Sequence, residues 1–113
     1  PLRLTQNARA LLDLLPAGWF PRSQKAVTLA DSEPEPDVAV VRGPRGRYGT
    51  AHPTPAEIGL LVEVADTSRT IDRVHKARVY ARSGVVQYWV VNIPDRRVEV
   101  FADPSGPADA RVY

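Results

Sequence analysis

Ile58-Gly59-Leu60-Leu61-Val62-Glu63-Val64-Ala65 decides how this chain is read. Eight residues, nearly all apolar, have the pattern of a central strand covered on both faces. Just before it, Thr54-Pro55-Ala56-Glu57 has the form of a helix start. Thr54 is the cap, Pro55 takes the first position and Glu57 reaches back. The strand follows so soon that only a turn fits. Glu63 breaks the apolar run, and a carboxylate inside a buried strand is costly unless it is paired or holds a cation. It is the largest physical anomaly in the sequence.

Downstream, Asp66-Thr67-Ser68 offers caps for a helix that starts near Arg69 or Thr70 and runs to about Ser83, where Gly84 closes it. Helical spacing puts Ile71, Val74, Ala77 or Arg78, and Ala81 on its inner stripe. Asp72, Lys76, Val79 and Tyr80 share the adjoining stripe, with Asp72 one turn before Lys76. Val85 to Ile93 reads as another strand, with Tyr88, Val90 and Asn92 on one face and Trp89 and Val91 on the other. Pro94-Asp95-Arg96-Arg97 is a tight turn, and Val98 to Ala102 returns as the hairpin partner. Asp103 to Tyr113, rich in proline and glycine, is expected to be peripheral.

Upstream, Val38-Ala39-Val40-Val41 is a second buried strand. Asp31-Ser32-Glu33-Pro34-Glu35-Pro36 leads into it as a stiff acidic connector, its prolines holding the backbone extended. Asp37 therefore arrives in a rigid approach at the strand's mouth. Lys25 to Ala30 is a short strand candidate with Val27 and Leu29 on one face. Pro1 to Leu15 has helical spacing in Leu4, Ala8, Leu11, Leu12 and Leu15. Pro16 and Gly18 stop that helix, and Trp19 and Phe20 are expected to pack its end onto the sheet. Arg42 to Thr54, with its glycines and prolines, reads as an exposed loop. The order helix, strand, strand, strand, helix, strand, strand gives an α/β or α+β domain, a mixed central sheet flanked by helices.

At 113 residues the chain is one domain, large enough for a single core. It has no cysteine, which excludes disulfides, thiolate metal sites and a cysteine nucleophile. No apolar run approaches the length of a membrane span, so the cytoplasm is the default location. The net charge is only +2, but it is segregated. Asp31 to Asp37 holds four acids and no base, Arg42 to Arg47 three arginines and no acid, and Arg69 to Arg82 five fixed cations against Asp72. An acidic metal pocket rimmed by phosphate-binding arginines would have this polarity, and so would an arginine-rich solvated surface. Of 15 basic residues only Lys25 and Lys76 are lysine. A lysine kept where arginine is the default is a compact point charge for one oxygen.

Asp37, Glu63 and Lys76 together suit metal-assisted phosphodiester cleavage. Asp37 and Glu63 would hold Mg²⁺, with the backbone carbonyl of Val64 as a further oxygen ligand. Lys76 would orient or deprotonate the attacking water, or stabilise developing charge. Asp72 would pair with Lys76. Each also has a plainer role: Asp37 as a strand or turn cap, Glu63 as a carboxylate salt-bridged inside the sheet by an arginine of the second helix, Lys76 with Asp72 as a surface pair. Tyr80 reads first as a packing residue, and His52 and His75 as loop or surface histidines. Arg42, Arg45, Arg47, Arg69 and Arg73 are the candidate nucleic-acid contacts.

Pro36-Asp37-Val38-Ala39-Val40-Val41, then Leu61-Val62-Glu63-Val64-Ala65-Asp66-Thr67-Ser68, then Asp72 through Lys76 to Tyr80-Ala81, then Gly84-Val85 and Tyr88-Trp89-Val90-Val91, resembles the Uma-type putative restriction endonuclease family, a branch of the PD-(D/E)XK nucleases. The resemblance covers nearly the whole chain. It implies a restriction-endonuclease-like core, Mg²⁺ or Mn²⁺ dependence, no small-molecule cofactor, DNA as substrate, and a homodimer as the natural way to cut both strands. Asp37 falls on the family's PD aspartate and Glu63 on its second acid. The lysine of the superfamily's E-x-K pattern would fall at Ala65, which cannot serve, so Lys76 on the following helix takes its place. Family members usually carry a further N-terminal segment, so residues 1–113 read as a single nuclease-like domain lacking it. An incomplete site would leave a nuclease-fold module that binds nucleic acid or a protein partner without cutting.

Overall fold

A computed structural model describes residues 14–65 and 70–113. Five strands form one sheet in sequence order: β1 (Trp19–Ser23), β2 (Val38–Arg42), β3 (Ile58–Ala65), β4 (Gln87–Asn92) and β5 (Arg97–Ala102). All neighbours are antiparallel except β3 and β4, which are parallel and joined through helix α1 (Thr70–Arg82). Parallel neighbours need such a crossover. The predicted mixed sheet is present. The predicted helix from Pro1 to Leu15 lies almost wholly outside the described residues, as do the cap residues Asp66-Thr67-Ser68.

β3 is the middle strand, as its apolar run requires. Register places Ala39 beside Leu61, Leu61 beside Tyr88, and Glu63 beside Val90, which in turn faces Glu99. These residues share the face on which α1 packs. There Tyr80 and Ala81 join Val27, Leu29, Ala39, Val41, Ile58, Leu61, Val85, Tyr88 and Val90 in one buried cluster.

The helix ends as read. The Val85 N–H bonds the Tyr80 carbonyl at 3.0 Å and the Gly84 N–H the Ala81 carbonyl at 3.0 Å. Gly84 has φ +82°, a left-handed conformation that favours glycine, so this is a Schellman closure. The inner stripe is rotated from the one expected. Val74 is exposed, whereas Arg73, Ala77, Tyr80 and Ala81 face the sheet side. The spacing 73, 77, 80, 81 is equally helical, and the long tyrosine fills more of the core than valine would. The turn before β3 also holds: the Thr54 N–H and hydroxyl both donate to Glu57 Oε1, at 3.0 and 3.1 Å.

Three expectations need correction. Lys25 to Ala30 is not a strand, although Val27 and Leu29 are buried as their alternation suggested. The segment makes only scattered bonds, among them Val27 N–H to the Pro34 carbonyl at 3.0 Å and Leu29 N–H to the Ser32 carbonyl at 2.9 Å. Pro34 and Pro36 have no N–H to return, so no ladder forms. Trp19 and Phe20 belong to edge strand β1, where Pro21 is tolerated because no strand among the described residues pairs with its outer side. The tail is anchored: Ser105 bridges to Val112, and the Tyr113 hydroxyl donates to the Val85 carbonyl at 2.7 Å. No helix among the described residues is long and apolar enough to cross a membrane.

Candidate active site

Three elements converge at one end of the β2–β3 pair. Asp37 stands one residue before β2, and its Oδ2 accepts the Val64 N–H at 2.6 Å. The ladder between β2 and β3 begins at Val38 opposite Val62, so Val64 lies past its end. The neighbouring Ala65 carbonyl points the other way, accepting the Ile93 N–H at 3.1 Å. In an extended strand, a residue's N–H and C=O serve the same side, and successive residues alternate. The Val64 carbonyl therefore faces the Asp37 side, free of the β4 ladder.

Glu63 points to the helix face, only 12% exposed. Its Oε2 accepts the Tyr80 hydroxyl at 2.8 Å and lies 3.3 Å from Lys76 Nζ. The ion-paired partner is thus the helix lysine rather than an arginine. Lys76 keeps its side chain 47% exposed, so it links a part-buried carboxylate to solvent. Tyr80 is buried and stacks edge-on against Tyr88, with ring centroids 4.8 Å apart. Burial first, and the negative charge of Glu63 second, push its phenol far above the ordinary range. It stays protonated and acts as a fixed donor to Glu63, which is more than packing.

Beside this group lies a shallow cleft of about 240 Å³ lined by Ser32, Pro34, Glu35, Glu63, His75, Lys76, Val79 and Tyr80. Glu35 and His75 had no place in the sequence-based site. Their signals were present: Glu35 shares the proline-stiffened approach of Asp37, and His75 adjoins Lys76 in the helix.

The other candidates are dispersed. Arg73 pairs with Glu99, Nε to Oε1 at 3.0 Å, and is only 14% exposed, so its guanidinium is committed inward. Arg47 is tied to Glu57 at 2.9 Å and to the Gly43 carbonyl at 3.2 Å. Arg42 is exposed and lies over the Trp19 ring at 4.6 Å. Arg69 and the side chains of Arg45 and Asp72 fall outside what is described.

Among the described residues, no group of three or more histidine, cysteine, aspartate or glutamate side chains is placed to hold a metal ion. The donors at hand are two carboxylates and the Val64 carbonyl. That set fits Mg²⁺, which commonly uses one or two carboxylates and keeps several waters.

A family model named Uma2, described as "Putative restriction endonuclease", matches residues 2–111. Four chains of solved structures match. One is the crystal structure of a putative nuclease belonging to DUF820 from Anabaena variabilis, with a TM-score of 0.61 and 14% identity over 95% of this chain and 71% of that one. At that identity the likeness establishes the fold, here a restriction-endonuclease-like core. No curated protein matches.

Proposed function

This chain belongs to the Uma2 family, and from that premise we propose that it is a metal-dependent endonuclease that hydrolyses DNA phosphodiester bonds. The observation that supports the reading is that Asp37 accepts the N–H of Val64, next in the strand to Glu63, whose carboxylate meets Tyr80 and Lys76. Asp37, Glu63 and the Val64 carbonyl would hold the ion, Mg²⁺ or Mn²⁺. When bound, it would supply a polarised phosphoryl oxygen and a water of lowered pKa. The chain's own groups do the rest. Tyr80 fixes one oxygen of Glu63 and so the direction of the carboxylate. Lys76, half in solvent, offers positive charge to a phosphate oxygen entering the cleft. Arg42 and Arg47 add cationic surface toward a polyanion.

A second reading has the stronger support among the described residues. Among the described residues no third carboxylate joins Asp37 and Glu63 in a metal-holding group, and Oε2 of Glu63 is already engaged by an ammonium and a phenol. A site in that state suits a nuclease-fold module that binds nucleic acid or a protein partner without cutting. Nicking of supercoiled plasmid in Mg²⁺ or Mn²⁺ separates the two. The endonuclease reading expects cleavage by the wild type, lost in Asp37→Asn and Lys76→Ala with circular dichroism unchanged. Asp37→Asn keeps an oxygen for the Val64 N–H, so a loss there reports chemistry rather than folding. Salt-dependent DNA binding with no cleavage in either metal would hand the site to the second reading.

A further inference from the structure

Away from the carboxylates, a larger concavity of about 510 Å³ opens beside β1 and β2. Phe20, Pro21, Val41 and Tyr48 give it apolar walls, and its charged lining among the described residues is Arg22, Lys25 and Arg42. Among the described residues no acid lines this cavity. The cleft at Glu63 is mixed in character, with Glu35 and Glu63 beside His75 and Lys76 among its walls.

Arg22 is the unusual member. Its guanidinium lies over the Tyr48 ring, 5.2 Å from the centroid. Its Nη1 is buried without a hydrogen-bond partner among the described residues. A buried guanidinium nitrogen left without an acceptor is costly, and arginines in such places ordinarily pair with carboxylate or phosphate. Burial lowers the Arg22 pKa, and the Tyr48 phenol beside it opposes this only in part. The wall is firmly held, since the Tyr48 hydroxyl donates to the Arg42 carbonyl at 2.6 Å.

Register fixes where this cavity stands relative to the carboxylates. Arg22 pairs with Ala39, so the two share the face of the sheet that carries Leu61 and Glu63. Asp37 is two residues before Ala39. One strand spacing and two residues of rise separate Arg22 from Asp37 by roughly 8 Å between backbones. A chain of phosphates passing Asp37 can reach Arg22 without leaving that face.

We propose that Arg22 and Lys25, walled by Tyr48, form a phosphate seat that grips the sugar–phosphate backbone of nucleic acid next to the carboxylate site. The proposal rests on the nucleic-acid reading above and adds a contact outside its arginines.

The test is binding of a fluorescein-labelled duplex oligonucleotide by anisotropy in EDTA, across a salt series. Each phosphate contact removed should flatten the slope of log K against log salt by about 0.9. Arg22→Gln is expected to weaken binding about tenfold and flatten the slope by about one contact. Lys25→Ala, at an exposed position, should act in the same direction and guards against a folding defect in the first variant. Inorganic phosphate, compared with chloride at equal ionic strength, should compete for the wild type more than for Arg22→Gln if the seat reads phosphate itself. Unchanged affinity and slope in both variants would overturn the seat while leaving nucleic-acid binding intact. A wild type that binds no oligonucleotide would remove both readings, and Arg22-dependent phosphate binding would then assign the seat to a free phosphate instead.

Discussion

Tyr80→Phe is the most direct probe of how the fold holds its site. The substitution keeps the ring, its edge-on contact with Tyr88 and nearly all of its volume, and deletes only the hydroxyl 2.8 Å from Glu63 Oε2. What is lost is one hydrogen bond to a charged acceptor, worth about 1.5–3 kcal/mol. Lys76 remains beside the carboxylate, but at 47% exposure its compensation is weak. With a urea m-value of about 1.5 kcal/mol per molar, the midpoint should fall by about 1–2 M. A double-mutant cycle assigns the loss. In a Glu63→Gln background the same Tyr80→Phe change should cost at least about 1 kcal/mol less, because the charged acceptor is gone. Equal losses in both backgrounds would mean that packing, not the bond to Glu63, explains the effect. A midpoint unchanged within about 0.3 M would refute the reasoning outright.

Alkaline titration and the Arg73–Glu99 contact give further checks. All four tyrosines, Tyr48, Tyr80, Tyr88 and Tyr113, are held above the ordinary phenol range, each chiefly by burial. The fold favours their protonated forms, so this stability is full below about pH 10 and declines as pH rises beyond it. Phenolate absorbance should therefore appear together with loss of structure, and a native-state phenol titrating at its ordinary pKa would contradict the burial described. Glu99→Gln leaves the Arg73 guanidinium without its carboxylate and should cost about 2–4 kcal/mol by urea unfolding. An apolar pair, Arg73→Met with Glu99→Leu, should recover most of that loss, and no recovery would show that the pair does more than bridge α1 to β5.

Much of the fold could be read from the sequence where one local signal dominated. β3 and β2 are nearly continuous apolar runs, β4 alternates buried with less buried residues, and Gly84 marks the helix end. Where signals competed, the reading slipped. Val27 and Leu29 alternate as a strand would, but Pro34 and Pro36 deny them a partner ladder. Trp19 to Ser23 contains a proline and a charge, and only its edge position makes it a strand. The inner face of α1 turned on whether Val74 or the pair Arg73 and Tyr80 was buried, which depends on Glu99 and Glu63 being opposite. For the site, Glu63 announced itself by its cost and Asp37 by its stiff approach. That Lys76 rather than an arginine reaches Glu63 follows from helix rotation, which spacing alone does not specify. Glu35, His75 and Arg22 were hidden because their neighbours come from distant parts of the chain.

Tyr80 occupies two roles at once, core plug and holder of Glu63, and this bears on how such domains decay. In a lineage released from selection for chemistry, Glu63 and Tyr80 would still be retained, because removing one strands the other in a buried setting. Asp37 carries no such debt to folding, since asparagine offers the same carbonyl oxygen to the Val64 N–H. Drift should therefore strike Asp37 first. Among degenerate copies of this domain, an intact Glu63–Tyr80 pair is a record of foldability, and the residue at position 37 is the better witness to whether the proposed chemistry survives.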